Sequence, residues 1–211
     1  KSLSRIQSFE KINSLFDLGL YNLAYEVISL NFENIPDSLK IQYAESFADN
    51  GEFDKGNQLI NKVTSQNNEF ELLNFSLYCA LKKEDIASAQ ELFNDLKNRS
   101  SIKLNIEQRI SLILSEAYLE HNKKNYFKSI QLNEYALSLI VNRKLDKKYL
   151  LTVYRRLGND YNDIVRNNIP FSIPKKSCYE LGLNNYKKEA SLLFEDKNPN
   201  NTKIALNYIT T

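Results

Sequence analysis

Gly19-Leu20-Tyr21-Asn22-Leu23-Ala24 joins two apolar stripes of helical spacing, and its pattern returns further along the chain. Ile6, Phe9, Ile12, Leu15, Phe16 and Leu18 precede it at threes and fours, and Val27, Ile28 and Leu30 continue after it. The echoes are Gly51-x-Phe53-x-x-Gly56, Ile86-x-x-Ala89 and Tyr126-x-x-Ser129. From Ala24 to Gly56 is 32 residues and from Gly56 to Ala89 is 33. A fixed period near ~34 residues marks an architecture of repeated helix pairs. Such units bury their apolar faces only against neighbours, so they build an extended, curved surface rather than a closed pocket. A chain of this kind is expected to work by holding another chain.

Working outward, the second unit places one helix over Leu39 to Phe47, a tight turn at Asp49-Asn50-Gly51-Glu52, and a return helix over Phe53 to Val63. Pro36 separates it from the first unit, with Asp37 or Ser38 expected to cap the helix that follows. The third unit runs from about Phe70 to Leu81 and returns through Ile86 to Leu96, with Asp85 as the cap. The fourth starts near Asn105, turns at Asn122-Lys123-Lys124-Asn125 and returns from Tyr126 to Ile140. The fifth opens on Tyr154-Arg155-Arg156-Leu157-Gly158-Asn159-Asp160-Tyr161. It is then interrupted by the Pro-containing stretch Asn167 to Pro174, which puts Ser177 in the small-residue place. One last helix is expected over Ile204 to Ile209. The whole reads as a single repeat domain over 1–211, with units near 4–36, 37–69, 70–104, 105–147 and 148–190 and capping helices to 211.

Composition agrees with this plan and narrows the function. Five Gly and four Pro in 211 residues leave little material for long loops, and 42% hydrophobic residues supply a continuous core. Lys and Arg number 28 against 26 Asp and Glu, so the basic excess of a nucleic-acid binder is missing. The densest basic stretch, Arg143 to Lys148, reads as a solvated connection. No apolar run approaches the ~18 residues that span a bilayer, and the polar start Lys1-Ser2-Leu3-Ser4-Arg5 does not read as a secretory leader. Cys79 and Cys178 lie far apart inside helical patterns, as two buried, reduced thiols of a cytoplasmic protein would.

These residues resemble the tetratricopeptide repeat family over roughly residues 6 to 190. Tyr154, Leu157, Gly158 and Tyr161 fit the first half of the family's unit. Gly19, Tyr21, Ala24 and Pro36 fit its second half, as do Glu84, Ile86, Ala89, Phe93 and Leu96. No unit carries every position, so the repeats are degenerate. The resemblance implies an all-α, right-handed superhelix of about five hairpins, an α-solenoid with an irregular C-terminal cap. It implies a concave groove lined by the first helix of each hairpin. Transferred residue by residue, the groove positions are Asn13, Gln42, Glu45, Asn74 and Tyr78 in the first three units, and Arg109, Glu116, Arg155 and Asn159 in the last two.

Asn74 and Tyr78 are four apart, suited to a peptide backbone and an apolar side chain. Arg155 and Asn159 are also four apart and share one helix face. They resemble the pair with which some family members clamp a peptide carboxylate, a guanidinium being able to bind it bidentately. On that reading Arg155→Glu weakens binding and leaves thermal stability alone. The partner implied is a protein or peptide, with no cofactor, no metal, no membrane and no nucleic acid. The alternative is the peptide-sensing or regulatory array of a larger protein whose effector domain lies outside this segment.

Catalysis is not expected. His121 is the only histidine, and nucleophile–histidine chemistry requires a Ser or Cys to reach it in space. Its neighbours Glu120, Asn122 and Lys123 put it at a helix end, where interaction with the last carbonyls is expected. One histidine and two cysteines are too few for most zinc sites, and no glycine has phosphate-loop spacing.

Overall fold

The protein is seen in a computed structural model that describes residues 5–63, 69–99 and 104–195. Among the described residues it is all-α: ten α-helices, one short 3-10 turn and no strand. The chain divides into two compact units, residues 1–83 and 84–211.

In the first unit the helices are α1 (Arg5–Asp17), α2 (Tyr21–Leu30), α3 (Asp37–Asp49), α4 (Phe53–Asn61) and α5 (Glu69–Lys82). Helix α1 packs on α2, and α3 on both α4 and α5. Their shared core holds Ile12, Ile28, Phe47, Leu59 and Phe75, all essentially inaccessible. Phe16 stacks on Tyr43 at 6.0 Å and tilts onto Phe47 at 4.7 Å, tying α1 to α3. Asp37 does not cap α3; it is the first helical residue, and its carboxylate pairs with Lys40 at 2.9 Å instead.

The second unit contains α6 (Ile86–Arg99), α7 (Ile106–Asn122), α8 (Tyr126–Arg143), α9 (Lys147–Arg166) and α10 (Lys175–Glu195), each packed on the next. Its core gathers Ile110, Ala136, Ile140, Val153, Leu157 and Cys178. Asp85 caps α6 by accepting the Ser88 N–H at 3.1 Å. Asn105 caps α7 in a reciprocal box with Gln108, which the sequence reading placed only as a helix start. Helix α10 is continuous to Glu195, past the expected unit end at 190. The expected helix over Ile204 to Ile209 lies outside the described residues.

The same turn recurs at fixed register. Gly19, Gly51, Lys124 and Asn168 are left-handed, with φ of 70, 79, 63 and 53°. In each case the next N–H reaches back five residues to a carbonyl: Leu20 to Leu15, Glu52 to Phe47, Asn125 to Glu120 and Ile169 to Ile164. This Schellman arrangement satisfies carbonyls that a helix end would otherwise leave without partners. Glu84 takes the same left-handed conformation, with φ 58°.

Five helices then begin alike. The N–H of the fourth residue bonds the carbonyl just before the helix: Ala24 to Leu20, Gly56 to Glu52, Ala89 to Asp85, Ser129 to Asn125 and Cys178 to Pro174. All five of these small residues are buried. In the last turn the position belongs to Cys178, not to Ser177, which is half-exposed. The proline-containing insertion moves the start of α10, and the small slot moves with it.

Candidate functional site

The first helices of the hairpins carry the positions expected to meet a ligand, and each unit is considered by itself. In the first unit Asn13 on α1 and Gln42 on α3 are exposed, and Glu45, Asn74 and Tyr78 are half-buried. The Tyr78 hydroxyl donates to Asp49 at the end of α3. Lys82 closes the group, 2.9 Å from Asp49 and 5.3 Å from the Tyr78 ring centre. Tyr78 is therefore half-buried against the core of the first unit, its ring held by its own hydroxyl and a neighbouring cation. Deeper on α5, burial pushes the Cys79 thiol up to about 11, so it stays a thiol at neutral pH.

In the second unit Arg109 is exposed near the start of α7. Glu116, nearly two turns before the end of the same helix, meets Lys128 of α8 at 3.1 Å. That contact holds the Lys128 ammonium above its ordinary range. Arg156 turns back to donate to the Leu114 carbonyl of α7 and lies 4.9 Å from the centre of the Tyr118 ring.

The Arg155–Asn159 face of α9 meets α10. Arg155 Nε donates to Glu189 Oε1 at 2.7 Å, and the Tyr186 hydroxyl donates to Asn159 Oδ1 at 2.8 Å. Two glycines permit the approach. A Cβ on Gly158 would lie 2.5 Å from a carbon of the Tyr186 ring, and one on Gly182 would lie 3.3 Å from the Tyr161 Cβ. The carboxylate that Arg155 meets is thus internal. Glu189 is fully buried, and burial lifts its carboxyl above the ordinary glutamate range, partly offset by the Arg155 charge.

His121 does not cap the end of α7, as its sequence neighbours suggested. Its ring crosses to α9, with Nδ1 2.6 Å from Asp160 Oδ1 and Nε2 3.6 Å from Asp163 Oδ2. Asp160 is buried, and its Oδ2 accepts the Ser129 hydroxyl at 2.7 Å and the Asn133 amide at 3.2 Å, both from α8. A serine, an aspartate and the single histidine therefore meet, but in the wrong order for nucleophilic catalysis. The Ser129 proton goes to the carboxylate, and both imidazole nitrogens face carboxylates. Nearby Glu120 is also buried. Burial raises its carboxyl, but hydrogen bonds from Asn125 and Lys123 and the charges of Lys123 and Lys128 outweigh that and hold it low.

His121 and Ser129 stand out in the sequence, but their meeting at Asp160 does not, because Asp160 lies 39 positions beyond His121. The cluster's one local signal was a Ser, not an Ala or Gly, in the small slot of α8. Among the described residues no group of three or more His, Cys, Asp and Glu side chains is placed to hold a metal ion. No helix among them is long and apolar enough to cross a membrane. Comparison with protein-family models, with curated proteins and with solved structures finds no match for the chain.

Proposed function

We propose that the chain is a tetratricopeptide-like α-solenoid that binds a protein or peptide through the faces of its first helices. The observation that supports this reading is the repeated helix start. Five times a buried small residue stands four positions after the carbonyl that opens the helix, as close packing of helical pairs requires. Units that are completed only by their neighbours leave one face of the stack available, and repeat proteins use that face for binding.

Arg155 and Asn159 are engaged by α10 and are not the anchor of this proposal. The binding face is assigned, unit by unit, to Asn13, Gln42, Asn74 and Tyr78 in the first and to Arg109 in the second. Tyr78 is the principal anchor, because a ring with restrained orientation offers large contact area at small entropic cost.

The test is a random-peptide array probed with the full chain, followed by fluorescence anisotropy on the strongest binder. Tyr78→Ala is expected to weaken binding about tenfold or more, at a temperature where the variant, which also loses core packing and the Asp49 bond, is still folded. Lys176→Ala, which removes an exposed ion pair with Glu180, is expected to leave binding unchanged. Peptides that bind equally to wild type, Tyr78→Ala, Gln42→Ala and Arg109→Ala would remove this face from consideration.

A further inference from the structure

Asn50-Gly51 is the chain's only Asn-Gly pair, and it sits in the turn that joins α3 to α4. An asparagine followed by glycine is chemically labile in water. No side chain shields the glycine nitrogen, which can attack the asparagine Cγ and expel the amide as ammonia. Asparagine is a thermolabile residue for this reason.

The backbone is set against that reaction. Asn50 closes α3 with ψ at 13°. Ring closure needs the Gly51 nitrogen eclipsed with the Asn50 Cβ, and at this ψ the nitrogen is turned well away from it. The Gly51 N–H donates to the Ala48 carbonyl at 3.1 Å, so the proton that must leave before attack is engaged. The Glu52 N–H bonds the Phe47 carbonyl at 2.8 Å and closes the turn around the left-handed Gly51.

The side-chain amide is held at both ends. Its Nδ2 donates to the Ser46 carbonyl at 2.8 Å, and its Oδ1 accepts the Tyr21 hydroxyl at 2.7 Å. Tyr21 opens α2, directly after the Gly19 turn, so its hydroxyl ties the first hairpin turn to the second. A donor on Oδ1 polarises Cγ, but with no nucleophile in reach that hydroxyl acts as a tether. Asn50 is exposed, so water reaches it. Orientation, not burial, separates the site from its chemistry, and exposed turns open more readily than cores do.

We propose that Asn50 is a latched modification site: the turn and the Tyr21 hydroxyl preserve its amide, and opening of the latch exposes it to deamidation. On opening, the Gly51 nitrogen gives up its proton and bonds to Asn50 Cγ. The Cγ–Nδ2 bond breaks and ammonia departs with a proton, leaving a succinimide. Water then adds to one of the two ring carbonyls and yields aspartate or isoaspartate, with no oxidant or cofactor consumed. Either product carries a carboxylate, which has no N–H for the Ser46 carbonyl, so that half of the latch is lost. Isoaspartate also adds a carbon to the backbone of the turn that Glu52 closes. A transient opening of the first unit is thereby turned into a lasting covalent mark. The site stands independently of the binding reading, because none of its groups belongs to the assigned binding face.

The test incubates the full chain at neutral pH, native and unfolded in guanidinium, and reads conversion at Asn50 by peptide mapping and mass spectrometry. Chromatography separates the aspartate and isoaspartate products. The unfolded chain is expected to convert at Asn50 ahead of its other asparagines, and native wild type about tenfold or more slowly. Native Tyr21→Phe, held well below its melting temperature, is expected to convert faster than native wild type. An unfolded chain that keeps its Asn50 amide overturns the site. Equal rates in native and unfolded wild type, or in native wild type and Tyr21→Phe, overturn the latch. If Tyr21→Phe does not fold, exchange of the Asn50 side-chain amide protons in wild type decides in its place. Slowed exchange supports the latch, and exchange as fast as in the unfolded chain overturns it.

Discussion

A Cβ added at Gly56 would lie 2.9 Å from the Ala44 carbonyl oxygen and 3.0 Å from Phe75 Cζ, and the first of these is backbone that cannot swing aside. Gly51, five residues earlier, has nothing within 4 Å of an added Cβ but holds φ at 79°. The two glycines are needed for different reasons, and substitution separates them. Gly51→Ala is expected to cost about 1–2 kcal/mol through backbone conformation alone. Gly56→Ala forces α3 and α4 apart and is expected to cost about 1–3 kcal/mol by overpacking, with a loosened aromatic core around Phe75. Urea denaturation followed by helicity and by tyrosine fluorescence checks both. Equal costs with identical fluorescence would mean that the small slot has no steric role. These positions were readable in the sequence because turn chemistry and small-residue spacing are local properties. The left-handed Lys124 and Asn168 were not, since nothing in a lysine announces a positive φ.

At the scale of the element, the α9–α10 pair decides what Arg155 does. The sequence showed that Arg155 and Asn159 share a face but not what that face meets, because Tyr186 and Glu189 arrive from a helix 27 and 34 positions further on. An arginine set against a buried glutamate is a structural partner, so Arg155→Glu is expected to lower stability, contrary to the sequence-based expectation. Arg155→Ala is expected to cost about 1–3 kcal/mol, below the range for breaking a fully buried pair because the arginine is itself half-exposed. The pH dependence follows from Glu189. Its folded carboxyl, raised by burial, holds its proton more tightly than the unfolded chain's does. Its contribution is therefore fully present below the ordinary glutamate range and is lost as pH rises through the raised folded value. Denaturation from about pH 4 to 7 is expected to show wild type losing ground to Glu189→Gln as pH rises. A difference that stays flat or runs the other way would contradict the assignment. The phase of α10 was missed by one residue for a related reason. Two prolines in the insertion fix where the helix can start, and helical periodicity is silent about a shift of one.

For the whole molecule, the central claim is that units completed only by neighbours continue into an open superhelix. The turns between helices were legible in the sequence, the last included apart from its small residue, because turns are marked by Gly, Asn, Asp and Pro and by the change of stripe. The polar cluster at His121 was not, because it is assembled from three helices whose positions no local pattern encodes. Small-angle X-ray scattering of the full chain tests the claim most directly. A compact 211-residue globule has a radius of gyration of about 17 Å. The solenoid reading predicts a clearly larger value and an asymmetric distribution of interatomic distances with a long tail. A value near that of the globule, with a symmetric distribution, would contradict it and make the chain a closed helical bundle.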